Sequence, residues 1–399
     1  MGIPDLERTL DLLEKDILPL QDKRMLDLAL KPDVTQEEVD EVLKDWNIET
    51  APLQSVLLLS YLLKSRPDLR CPPSMEPRLK GCLSYCRFQN LKRSAHFSKI
   101  AKALNGAGIP FMVLKGGAMK VYRPDFPRWM SDIDFLVGAD YFPRAETLVA
   151  DLGYTAIPDF HSTDFHLPGE KEGLVDIHRY IHMGTGHEAG INDDLFSRAS
   201  LTPMYSSQGL LPCPEDMVFI SLMNMRVNVT EQTSPGSVIS AFFDIAWLVS
   251  SKKDFDWETV RSSALKTCTQ SYLYIISRLF DRFAPGLLPS DFLAGDLSEE
   301  ELSARCEHIL YRRFVLAPLR LEIGEFHIPT AFRTERPIWL YVWRRARYFC
   351  LKRIDRFKPL SRRLSGVSAT LRTTTMTSPI HRLILFNEFT IRFIIIHCF

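Results

Sequence analysis

Asp132 and Asp134 stand two residues apart in the run Arg128-Trp129-Met130-Ser131-Asp132-Ile133-Asp134-Phe135-Leu136-Val137, and this spacing constrains the fold more than any other feature of the chain. On an extended segment, residues i and i+2 project to the same face. The run is β-branched and apolar around its acids, which predicts a strand over Asp132 to Val137. Two like charges held that close repel unless a cation lies between them. A hard divalent ion, Mg2+ or Mn2+, satisfies the pair through oxygen ligands and brings phosphate chemistry with it.

Asp176 supplies a third acid. It lies in Leu174-Val175-Asp176-Ile177, where an unpaired charge costs several kcal/mol of burial unless it is paired or metal-bound. If that strand pairs beside Asp132–Val137, three carboxylates converge, and two ions about 4 Å apart can be bridged by Asp132 and Asp134. A strand-edge acid facing solvent is the plain alternative for Asp176.

Gly117 precedes Asp132 by fifteen residues and closes the run Phe111-Met112-Val113-Leu114-Lys115-Gly116-Gly117. Lys115, Gly116 and Gly117 read as a phosphate cradle: glycines let backbone approach phosphate, and the following helix N-terminus points free N–H groups at an anion. Lys115 either neutralises a triphosphate or is a solvated strand-end lysine. Arg128 either binds phosphate through its forked guanidinium or pairs with Asp132 or Asp134 when no metal is present. His178 shares the strand face of Asp176, which allows a metal-adjacent, base or substrate-contact role beside a purely structural one. His161, His166, His182 and His187 crowd the same region without a zinc spacing and are read as substrate-pocket or surface residues. Asp244, in the apolar helix Ala241-Phe242-Phe243-Asp244-Ile245-Ala246-Trp247-Leu248, needs a partner; a salt bridge or cap is the default and substrate contact the alternative.

Gly-Gly, a gap and then Asp-x-Asp resembles the signature of the polymerase-beta-like nucleotidyltransferases. The longer pattern runs from Leu114-Lys115-Gly116-Gly117 through Arg128 and Ser131-Asp132-Ile133-Asp134 to Val175-Asp176-Ile177-His178. It resembles one bacterial branch, the uncharacterised nucleotidyltransferase family. The resemblance is specific between Ile109 and Tyr180, looser over the helical flanks and absent after about Arg336. It implies an α+β fold, a small mixed sheet with helices, flanked by helical N-terminal and C-terminal regions. It also implies that Asp132 and Asp134 hold both metals, and that Asp176 holds the catalytic one and helps deprotonate the attacking hydroxyl. The related family tends to carry an acid in the helix of Asp244.

Periodicity divides the chain into a helical region over residues 1–106, a catalytic domain over 107–205, a helical domain over 206–335 and a basic aromatic segment with an irregular tail over 336–399. Thr35-Gln36-Glu37-Glu38 and Ser298-Glu299-Glu300-Glu301 have the form of capping boxes. A helix is expected from about Pro77 to Leu104, stopping at Asn105-Gly106. The pattern then changes: strand Phe111–Leu114, a helix opened by Gly116-Gly117, strand Asp132–Val137, a helix over Asp140–Leu152, and strands over Asp164–Leu167 and Gly173–Tyr180. Helices return at Pro214 and over Ser237–Ser250. Thr373–Ser378 reads as a loop.

The 399 residues carry zero formal net charge, so the whole molecule makes no case for nucleic acid. From Arg336 to Arg363, however, ten Lys or Arg face a single acid, Asp355, with aromatics interleaved. That segment is read as a helix packing its aromatics while its arginines stay wet, with contact to a membrane surface or to nucleic acid as rivals. The eight cysteines form no C-x-x-C pair and are expected to be reduced thiols in a cytoplasmic protein. Met1–Glu7 has neither the basic nor the apolar region of a signal peptide, and the longest apolar stretch, Leu383–Ile396, is broken by Asn387, Glu388 and Arg392.

The expected activity is therefore metal-dependent transfer of a nucleoside monophosphate from a nucleoside triphosphate to an unidentified acceptor, with release of pyrophosphate. Two alternatives stand beside it. One is a toxin-like or defence-linked enzyme acting on protein or tRNA. The other is a nucleotide-binding regulator or scaffold without turnover.

Overall fold

The structure, a computed structural model, describes residues 6–159, 161–168, 173–181, 188–230, 234–289 and 293–316. The described residues other than 157–159 belong to one compact unit. The basic segment Arg336–Arg363, the Thr373–Ser378 loop and the apolar stretch Leu383–Ile396 lie outside the described residues.

Five helices come first: α1 (Leu6–Ile17), α2 (Leu20–Leu30), α3 (Gln36–Lys44), α4 (Leu53–Ser65) and α5 (Glu76–Gly106), the last entered through a 3-10 turn at Pro73–Met75. The expected capping box opens α3. Glu38 N donates to Thr35 Oγ1 at 3.3 Å, and Thr35 N donates to Glu38 Oε2 at 2.9 Å. The 31-residue α5 runs past Asn105, and its terminator is Gly108. At φ +66° Gly108 lets Ile109 N reach Leu104 O at 2.9 Å while its own N reaches Asn105 O at 3.0 Å, the paired bonds of a Schellman end.

The sheet region follows as β1 (Phe111–Val113), α6 (Lys115–Tyr122), β2 (Ile133–Val137), α7 (Phe142–Asp151), β3 (Thr155–Pro158), β4 (Ser162–His166), β5 (Val175–His178), α8 (Glu188–Arg198), β6 (Ser200–Met204) and β7 (Ser207–Leu211). The strand order is β3-β4-β5-β2-β1-β7-β6. β1 runs antiparallel to β2 and parallel to β7, while β2 runs parallel to β5. This is the mixed sheet of an α+β fold. The hairpin β6–β7 extends it to Leu211, on either side of the boundary expected at residue 205. Its two-residue turn holds Tyr205 at φ +49° and Ser206 at φ +56°, the left-handed pair of a tight hairpin turn made without glycine. The Tyr205 ring packs edge-on against Phe97 at 5.2 Å, and its hydroxyl donates to Gly117 O at 2.8 Å, which secures the turn.

The inward face of the sheet is apolar. Phe97 of α5 meets Phe111 of β1 at 5.8 Å and Phe135 of β2 at 5.3 Å between ring centroids, and all three are essentially buried. Each such ring contributes about 1.5–3 kcal/mol by leaving water. The helices α9 (Pro214–Thr230), α10 (Pro235–Ser251), α11 (Trp257–Lys266), α12 (Gln270–Asp281) and α13 (Glu299–Tyr311) complete the described chain. Pro214 does occupy the first position of α9, and Phe242 of α10 packs on Phe280 and Phe283 at 5.1 Å each. Among the described residues, no helix is long and apolar enough to cross a membrane. The six described cysteines are all free thiols.

Candidate active site

The register of three strands assembles one polar surface. β2 and β5 align Asp134 with Asp176 and Leu136 with His178. β4, antiparallel to β5, aligns Asp164 with Asp176 and Ser162 with His178. Because side chains alternate along a strand, Ser162, Asp164, His166, Asp176, His178 and Asp134 share one face. Phe135, Val175, Ile177 and Phe165 point the other way into the core. The parallel pairing that brings the Asp176 strand beside the Asp132-x-Asp134 strand is thus present. Asp132 itself lies one residue before β2, largely buried, with Ser131 Oγ donating to its Oδ1 at 2.9 Å.

The buried centre of this surface is Asp134. Its Oδ1 accepts from Lys115 Nζ at 2.6 Å and lies 2.9 Å from His178 Nε2, which is also 3.2 Å from Asp176 Oδ2. Asp134, Asp176 and His178 each offer one ligand atom within 4.8 Å of the others. Asp132 is not in that group, though its charge is felt by Lys115.

The charges are strongly coupled. Burial works against the Asp134 carboxylate, but Lys115 and His178 overcome it and hold the group well below the usual carboxylate range. Burial pushes Asp132 up to about 7, with the charge of Asp134 adding to the effect. Burial likewise pushes Asp176 up to about 6; His178 opposes this and Asp164 and Asp134 reinforce it. For Lys115 and His178, burial disfavours the cation, yet the surrounding carboxylates carry both groups above their ordinary values.

Two buried polar atoms here have no hydrogen-bond partner, Asp176 Oδ1 and His178 Nδ1. Orphaned buried atoms of this kind cost about 1–3 kcal/mol each. Asp134, Asp176 and His178 together make a donor set that can hold a divalent cation, and Asp132 stands outside it. The residues present therefore fit such an ion.

Lys115, which opens α6, has φ +46°, a left-handed conformation rare outside glycine. The turn aims its ammonium back at Asp134. Gly116 and Gly117 are buried, and their hydrogens face neighbours tightly. A Cβ on Gly117 would stand 2.7 Å from Val113 Cγ1 and 3.1 Å from Ile133 Cγ2. A Cβ on Gly116 would stand 3.0 Å from Met130 Cγ and 3.8 Å from Arg128 Cζ. Packing of α6 on the sheet thus demands glycine at 117. The first turn of α6 still leaves backbone N–H groups without intrahelical partners.

Arg128 sits against Gly116 but pairs with neither Asp132 nor Asp134. Its Nε reaches both carboxylate oxygens of Asp244 at 3.1 and 3.0 Å, and Nη2 lies 2.9 Å from Oδ2. The sequence alternatives for Arg128 did not include this partner. Asp244 is buried on α10, so the pair ties the loop before Asp132 to that helix. α5 grips the same loop. Asn90 Nδ2 donates to Arg128 O and Arg93 Nε to Ser131 O, both at 2.6 Å, and the Arg93 guanidinium covers the Trp129 ring at 4.9 Å. Asn90, Arg93, Asp164 and Tyr205 went unassigned from sequence. Only Asp164 carried a readable signal, the alternation Ser162-x-Asp164-x-His166.

The uncharacterised nucleotidyltransferases match this chain over residues 44–285, more than half its length. The chain belongs to the uncharacterised nucleotidyltransferase family. The nucleotidyltransferase match runs from the last residue of α3 past the end of α12 and so contains every residue of the site, from Asn90 to Asp244. A comparison with curated proteins finds no match.

Proposed function

We propose that this nucleotidyltransferase moves a nucleoside monophosphate from a nucleoside triphosphate to an acceptor hydroxyl, using Mg2+ or Mn2+ held by Asp132, Asp134 and Asp176. The observation that carries the reading is the parallel register of Asp134 with Asp176, which gathers two carboxylates and His178 at the opening of α6. When bound, the ions neutralise the triphosphate and the charge that develops on the leaving pyrophosphate. The N–H groups of Gly116 and Gly117 receive phosphate oxygens at the positive end of α6. Lys115 supplies a cation for the triphosphate once its bond to Asp134 opens. Arg128, anchored by Asp244, sets the phosphate-side wall of the cradle. Asp176 accepts the proton of the attacking hydroxyl, and His178 holds the Asp134 and Asp176 carboxylates in place or contacts the substrate. The site stands within a chain expected to work in the cytoplasm.

A second reading has one observation behind it. Lys115 and His178 already neutralise Asp134 from within the chain, which suits a nucleotide-binding regulator that needs no ion. Incubating cell extract with α-labelled ATP, Mg2+ and the protein, followed by mass spectrometry, separates the two. A nucleotidylated product, small molecule, protein or tRNA, supports transfer and names the acceptor. Saturable ATP binding with no labelled product supports the regulator.

A further inference from the structure

Within the Asp-x-Asp pair, Asp132 is the acid that the sheet does not hold. β2 begins at Ile133, whose N–H reaches Leu174 O at 3.0 Å, and Asp132 lies one residue earlier. Its place is set by the run 127–131, and that run rests on one face of α5. Cys86, Asn90 and Arg93 stand at i, i+4 and i+7, the spacing of one helix face. Each meets a main-chain oxygen of the run. Cys86 Sγ donates to Pro127 O at 3.7 Å, Asn90 Nδ2 to Arg128 O at 2.6 Å and Arg93 Nε to Ser131 O at 2.6 Å.

Of the three, Arg93 bonds the residue next to the acid. It is 2% exposed, and a guanidinium is costly to bury unless its donors are used. Nη1 donates to Gln89 Oε1 at 3.2 Å, and the guanidinium covers the ring of Trp129 at 4.9 Å. That indole also stacks on Tyr85 of α5 at 5.5 Å. A planar fork can bond a carbonyl along its edge while its face lies on an aromatic ring. The Ser131–Asp132 peptide is planar, so a bond that fixes Ser131 O also fixes the N and Cα of Asp132. Ser131 Oγ then holds the Asp132 carboxylate at 2.9 Å.

We propose that Arg93 is a positioning residue for the reaction. Through Ser131 it holds Asp132 beside the donor set of Asp134, Asp176 and His178, as the further ligand of a divalent ion. The inference rests on the metal-dependent transfer reading, in which Asp132 is a ligand. It differs from a role in folding alone, because Arg93 then acts on the ion through one residue.

The test is Mn2+ binding to the full chain without nucleotide, read by electron paramagnetic resonance in a double-mutant cycle. Arg93→Met keeps most of the bulk against Trp129 but removes the donor to Ser131 O. Asp132→Asn removes the ligand. Each alone should weaken Mn2+ roughly tenfold or more, the scale for groups that hold or orient metal ligands. Together they should weaken it little more than either one, because Arg93 acts through Asp132. Arg93→Met combined with Asp176→Asn should instead show the product of the two single effects. If Arg93→Met does not fold, Trp129→Phe loosens the same contact and must give the same coupling. Full Mn2+ affinity in the folded single variant, or independent effects of Arg93→Met and Asp132→Asn, would overturn the proposal. So would unchanged affinity in Asp132→Asn, or equal coupling to Asp176→Asn, which marks a general loosening. Failure of nucleotidyl transfer itself would appear as absent pyrophosphate release with this coupling intact.

Discussion

Lys115 Nζ donates to Asp134 Oδ1 at 2.6 Å from a residue whose backbone is held at φ +46°. Strained backbone persists where the surroundings over-determine it, often at functional sites. Here the strain carries a cation to the carboxylate at the centre of the polar face.

That ion pair and a divalent cation compete for the same oxygen. Lys115→Met should therefore destabilise the metal-free protein, by on the order of 2 kcal/mol, because Asp134 keeps its burial and loses a partner. Magnesium should then raise the melting temperature of the variant more than that of the parent. Equal increments in the two proteins would show that the ion does not bind at Asp134.

The pH dependence has a definite sign. Asp132 and Asp176 bind protons more tightly folded than unfolded, since burial raises them from 3.8 to about 7 and about 6. The stability they contribute is complete below about pH 4 and is lost as pH rises through their folded values. His178, also raised, works in the same sense and loses its contribution above its ordinary value of 6.5. Asp134, depressed, works in the opposite sense only below its ordinary 3.8. In chelator, the melting temperature should fall between about pH 4 and about pH 7. Divalent ions should flatten the fall. A rise over that window in chelator would contradict the charge balance described for the site.

Gly117 separates packing from ligand binding. Its Cβ would collide with Val113 and Ile133, both in the core, so Gly117→Ala should cost about 1–3 kcal/mol in urea unfolding. Gly116→Ala should cost less, since it presses chiefly on Met130, whose side chain is flexible. Equal costs would mean that α6 rides loosely on the sheet.

Local signals carried much of this structure. The apolar strand around Asp134, the helix at Gly116-Gly117 and the apolar runs of α9 and α10 were all readable, because each depends on neighbours a few residues away; Asp132 falls one residue before the strand. The hairpin β6–β7 was not, since its turn uses Tyr205 and Ser206 where Asn or Gly would announce it. The terminator of α5 is Gly108 and not Gly106, because the left-handed backbone that closes the helix end falls at Gly108. The Arg128–Asp244 pair joins residues 116 apart in sequence, a distance over which no spacing rule operates. Gly117 looked like a ligand-facing glycine, yet the atoms that demand it come from β1 and β2. Sequence could place the carboxylates on strands; only the sheet register could add Lys115 and His178 to Asp134.

The central claim is that Asp134 and Asp176, aligned on parallel strands, perform nucleotidyl transfer. Pyrophosphate release from each nucleoside triphosphate, with Mg2+ or chelator, tests it in the parent, Asp134→Asn and Asp176→Asn. The account predicts release by the parent only with the divalent ion. It predicts a loss of roughly a hundredfold or more in either variant, with triphosphate binding largely kept in Asp176→Asn. Release that survives in folded Asp134→Asn, or persists unchanged in chelator, would contradict it.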